Sequence, residues 1–76
     1  MKEELGIQPL DGIMARLGFL NSDLVKISTE QLSHKMVQKG RKGRRLTPNI
    51  QHKILNALRA LKPEENFVIK DIFNYL

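Results

Sequence analysis

Thr47-Pro48 and Lys62-Pro63 bracket the stretch that most restricts how this chain can fold. A hydroxyl residue followed by proline suits a helix entry. The hydroxyl caps a free amide, and proline, having no N–H, loses nothing at the first helical position. Between the brackets Ile50, Ile54, Ala57, Leu58 and Leu61 recur at steps of three and four, which puts them on one face of a helix. Gln51, His52, Lys53, Asn56 and Arg59 fall largely outside that stripe. Such a helix is stable only when other elements cover its apolar face. The flanking segments are the first candidates for that cover.

Those segments also read as helices. Pro9 and Asp11 precede Leu10, Ile13, Met14 and Leu17 at helical spacing, and Gly18 ends the run. Asn21, Ser22 and Asp23 are good caps for a short second helix carrying Leu24, Val25 and Ile27. Ser28 with Gln31 three residues on fits a capping box, so the third helix has two candidate starts, Thr29 and Ser33. Its apolar face is Leu32, Met36 and Val37, with His34, Lys35, Gln38 and Arg41 opposite and Lys42 a turn beyond Gln38. An Ala in place of Gly40 would favour that helix by about 1 kcal/mol, and Gly43 suits its C-cap. After Pro63 come a polar loop over 64–66, a short apolar run at Phe67-Val68-Ile69 that could be extended, and Asp71 opening a last turn with Ile72, Phe73 and Leu76. The expectation is an all-α single domain, 1–76, of four to five short helices, with 1–9 a flexible N-terminal segment. No apolar run approaches the roughly 20 residues of a membrane span. Residues 1–10 mix charges with scattered apolar residues, unlike a signal peptide.

Charge is the second constraint. Residues 31–63 hold nine cations (Lys35, Lys39, Arg41, Lys42, Arg44, Arg45, Lys53, Arg59, Lys62) and no acid, while the remaining residues hold four cations against eight acids. The net charge of +5 is therefore one basic segment on an otherwise acidic chain, which makes a polyanion the first partner to consider. The plain alternative is a solvated basic loop.

Other chemistries find little support. The chain has no cysteine, hence no disulfide, thiolate metal site or thiol nucleophile. Two histidines make a poor metal set, and His52 reads as an exposed helix residue. Gly40-Arg41-Lys42-Gly43 lacks the spacing and the Lys-Ser/Thr of a P-loop, and neither histidine joins a serine and an acid in a catalytic motif. No catalysis and no cofactor are expected. Phe73 and Tyr75 read as a C-terminal hydrophobic staple, because aromatics that would stack single-stranded bases are missing from the basic segment.

Taken in order, the elements over residues 10–75 resemble the lambda-repressor-like (Cro/repressor type) helix-turn-helix domain of bacterial and phage regulators. The resemblance rests on Gly18 followed six residues later by Leu24-Val25, and on Val37 six residues before Gly43. It continues through Arg44 and Arg45, the Thr47-Pro48 cap, the amphipathic run from Ile50 to Ala57-Leu58, and Asp71-Ile72-Phe73. This chain departs from the pattern in a connection about two residues longer between Leu24 and Leu32, and in lacking the family's small residue in the turn.

The resemblance implies a non-catalytic, cytoplasmic transcription regulator that binds double-stranded DNA with its third helix in the major groove, often as a homodimer. The apolar C-terminal segment, 67–76, is where a dimer contact would be sought. Carried over, the base-contact candidates are Ser33, His34, Lys35 and Gln38. Gln can pair with adenine, Lys can donate to guanine, and His and Ser can donate or accept. Phosphate-contact candidates are Lys39, Arg41, Lys42, Arg44, Arg45, Thr47 and Asn49, with the first amides of the Thr47 helix beside them. A helix starting at Thr29 would bring Glu30 to its tip, repulsive to a phosphate. The alternatives are a structured-RNA or ribosome-associated module using the same charges, and a protein-interaction domain that keeps the fold without the DNA.

Overall fold

The computed structural model describes residues 6–74. It is all-helical: α1 (Pro9–Leu17), α2 (Asn21–Ile27), α3 (His34–Lys42), α4 (Pro48–Leu61) and α5 (Ile69–Ile72), with a 3-10 turn at Pro63–Glu65. Among the described residues there is no strand. Tyr75 and Leu76 lie outside the described residues.

The caps expected from sequence form at α1, α3 and α4. Gly18 and Gly43 close α1 and α3 in left-handed conformations, φ 75° and 100°. The next amides reach back, Phe19 N–H to the Met14 carbonyl at 2.8 Å and Arg44 N–H to the Lys39 carbonyl at 3.0 Å. These are the wrapped-back bonds of glycine-terminated helices. The Thr47 hydroxyl accepts from Ile50 N–H at 3.4 Å, with Pro48 at the first position of α4. At α2 the acid works from inside the helix: Asp23 accepts from the Leu20 amide at 2.7 Å. Asp71 does the same for Val68 at 3.0 Å.

One open alternative is settled and one expectation is corrected. The third helix starts at neither Thr29 nor a Ser28 cap, since Ser33 caps it, accepting from Met36 N–H at 3.2 Å. The Ser28 hydroxyl instead accepts from Glu30 N–H at 3.1 Å, a local turn that competes with a helix start. Gln31 has φ 41°, which a right-handed helix does not admit. The connection from α2 to α3 is thus six residues, 28–33, against the about 3–4 of a typical helix-turn-helix. Second, Gln51 is 4% exposed, and its Nε2 donates to the Leu46 carbonyl at 2.7 Å.

The core takes Leu10 and Met14 from α1, Leu24 from α2, Val37 from α3, and Ile54, Leu55, Ala57 and Leu58 from α4. Leu32, Leu46, Phe67, Ile72 and Phe73 complete it. Phe67 and Phe73 are therefore spent on the chain's own interior. Gly40 lies on the buried face of α3, where a Cβ would come within 3.1 Å of Leu46 Cδ1 and 3.3 Å of both Ile54 Cδ1 and Phe73 Cε1. The missing side chain lets α3 sit close on α4 and the C-terminal segment, which offsets its helix-propensity cost. Gly43 is constrained twice, by its φ and by the backbone of Gly6, which fills the space a Cβ would need. In the N-terminal segment Gln8 is anchored: it is 1% exposed and its N–H donates to the Arg41 carbonyl at 3.1 Å, while Gly6 and Ile7 before it are exposed.

Candidate nucleic-acid interface

At about 100° per residue, His34, Gln38, Lys42, Lys35 and Lys39 span an arc of roughly 140° on α3, and all five are exposed. Met36, Gly40 and Val37 occupy the opposite side and face the core. Periodicity alone therefore separates an exposed polar face from an anchoring face. The side chains of Lys35, Lys39 and Lys42 have no hydrogen-bond or ion-pair partner among the described residues. Ser33, half-buried at the start of α3, has its hydroxyl oxygen engaged by Met36 N–H and keeps its O–H to donate.

The surface continues past Gly43. Met36, Lys39, Arg44, Arg45, Leu46, Thr47 and Ile50 line an open groove of about 440 Å³ between α3 and the start of α4. Its floor is apolar and its rim is basic. Thr47 and Asn49 are exposed beside it. The amides at the start of α4 offer less than expected. Pro48 has none, Ile50 N–H meets Thr47 Oγ1, and Gln51 N–H bonds the Thr47 carbonyl at 3.0 Å.

Arg41 departs from expectation. Its guanidinium turns to α1 and α2 rather than outward. Nε donates to Asp11 Oδ1 at 2.7 Å and Nη1 to Asn21 Oδ1 at 2.7 Å. Its side chain is only 20% exposed. Asn21 Nδ2 in turn donates to Gln38 Oε1 at 2.9 Å. Arg41 is committed to holding three helices together and does not belong with the phosphate-contact candidates. Asp11 and Asn21 read from sequence only as helix-entry residues, and their pairing with Arg41 was not visible because they stand 30 and 20 residues from it. The one available sign was Arg41's place on the helical wheel, at the edge of the exposed arc beside core residue Val37.

Glu30 is not at the tip of α3. Its Oε2 accepts from Asn56 Nδ2 on α4 at 2.9 Å, which pins the α2–α3 connection. His52 Nδ1 sits 2.9 Å from the Pro48 carbonyl within its own helix. Among the described residues no three of His, Cys, Asp and Glu are grouped to hold a metal ion. No helix there is long and apolar enough to cross a membrane. The chain matches no family model, no curated protein and no solved structure.

Proposed function

We propose that this chain is a non-catalytic double-stranded DNA-binding domain of the lambda-repressor-like helix-turn-helix kind, acting in transcription regulation. In this reading α3 enters the major groove with His34, Lys35 and Gln38 toward base edges and Ser33 at its entry. Lys39, Lys42, Arg44 and Arg45 lie on phosphates, with Thr47 and Asn49 beside them. The observation that carries it is the exposed arc of α3, polar at His34 and Gln38 and cationic at Lys35, Lys39 and Lys42, continuous with the basic rim around Arg44 and Arg45. Concentrated positive charge of this kind suits a polyanion with closely spaced phosphates.

The test is duplex binding by fluorescence anisotropy across salt, with an NMR titration of the labelled protein. Four cations on phosphates give a salt slope of about −3.6, so affinity falls on the order of 100-fold between 50 and 200 mM salt. Shifts should cluster in residues 33–49. Equal affinity for duplex RNA with indifference to Gln38→Ala would favour the RNA module. Negligible binding to any nucleic acid at physiological salt would favour a protein-interaction domain.

A further inference from the structure

Arg41, Asn21 and Gln38 form a chain of hydrogen bonds whose direction is set at one end. A guanidinium only donates, so the Asn21 atom facing Arg41 must be the acceptor, Oδ1. The other end of the Asn21 amide is then the donor Nδ2, and the Gln38 atom facing it must be an acceptor. Gln38 Oε1 fills that role at 2.9 Å, and Nε2 is left without a partner on an exposed side chain among the described residues. Asp11 holds the origin in place, binding Arg41 Nε at 2.7 Å.

We propose that Asn21 is a specificity-determining positioning residue. It orients the Gln38 amide so that α3 presents a hydrogen-bond donor, and the base facing Gln38 is one with an acceptor edge. This rests on the DNA-binding reading above. In the major groove guanine offers two acceptors, O6 and N7, and thymine offers O4, whereas adenine pairs its one acceptor, N7, with the donor N6, and cytosine N4 donates. The paired adenine contact of a free glutamine needs Oε1 turned to the adenine N6–H. Here one lone pair of Oε1 is taken by Asn21 Nδ2, which draws that atom toward α2 and leaves Nε2 as the outward group. Guanine is therefore preferred over adenine at this position.

The experiment reverses the direction of the chain. Asn21→Asp keeps an oxygen on Arg41 and turns a second oxygen toward Gln38. That oxygen needs a donor, so the Gln38 amide rotates and presents Oε1 outward. In the free protein, NMR solvent exchange of side-chain amides should show Asn21 Nδ2 protected in the original chain and Gln38 Nε2 protected in N21D. Selection from randomised duplexes should then show guanine over adenine for the original chain and the reverse for N21D, on the order of tenfold each way. The added negative charge weakens all duplexes alike, so the base ratio is the quantity to read. Asn21→Ala frees the amide and should bring the ratio close to one, which covers the case of an unfolded N21D.

An unprotected Asn21 amide in the original chain overturns the relay. Switched protection with an unchanged base ratio overturns Gln38 as the reader. Switched protection in a protein that selects no duplex overturns the DNA reading and this inference with it, and the NMR arm shows that the relay was not the cause.

Discussion

Arg41→Ala and Arg44→Ala should have opposite consequences, although the two residues sit three apart in one basic run. Arg41 donates two 2.7 Å bonds, to Asp11 and Asn21, joining α3 to α1 and α2. Hydrogen bonds to buried charged groups are worth about 1.5–3 kcal/mol each and exposed ion pairs about 0.2–1. With side chains 20% and 34% exposed, the Arg41–Asp11 pair lies between those limits. Screening discounts it, so the loss from Arg41→Ala should be about 1–2 kcal/mol. In a domain of this size that lowers Tm by roughly 5–15 °C. Arg44→Ala removes a side chain with no hydrogen-bond or ion-pair partner among the described residues and should stay within about 0.5 kcal/mol of the original stability. Duplex binding, measured where both variants are fully folded, inverts the order. Arg44→Ala should make the salt slope shallower by about 0.9, and Arg41→Ala should leave it unchanged. A double-mutant cycle with Asp11→Asn isolates the pair. An Arg41→Ala variant with unaltered Tm and a shallower slope would refute the reasoning, because its guanidinium would then be spent on phosphate.

Three further outcomes test the architecture. Gly43→Ala combines a left-handed φ with a collision against the Gly6 backbone, so thermal melting should show a loss above about 1 kcal/mol, with NMR shifts reaching residues 6–8; an unchanged melt would contradict both constraints. Phe73→Ala should cost about 3–5 kcal/mol by urea denaturation, a large share of the stability expected for a chain this short; a small loss would mean the C-terminal segment is not part of the core. Ser33→Ala should cost about 1 kcal/mol and Ser28→Ala less, since only Ser33 caps α3; the reverse order would place the helix start earlier.

What could be seen in the sequence was local. Gly18, Gly43, Thr47-Pro48 and the three-four spacing of apolar residues each act within a turn or two, and they mark the helices they bound. Ser28-Thr29-Glu30-Gln31 shows the limit of that kind of signal. The pattern fits a capping box, yet the hydroxyl folds back on Glu30, whose carboxylate is drawn to Asn56, 26 residues away. Ser33, a second hydroxyl farther on, takes the cap. Gln51 looks like a surface residue because it lies beside the apolar stripe, and only the Leu46 carbonyl makes its burial favourable. The exposed arc of His34, Lys35, Gln38, Lys39 and Lys42 follows from periodicity, so most of the candidate surface was legible. The place of Arg41 was not, because an acid-free window makes every cation inside it look available while its partner waits on α1.

The Gln8 side chain reaches Gly6 and Asn74 together, its Nε2 donating to the Gly6 carbonyl at 3.0 Å and its Oε1 accepting from the Asn74 amide at 2.8 Å. The second bond spans 66 positions of the chain. Closing so long a ring early costs more entropy than one hydrogen bond returns, so this clasp forms after the helices have docked. Truncating Gln8 should consequently leave the refolding rate almost untouched and hasten unfolding, which makes this one amide a latch on the lifetime of the folded state.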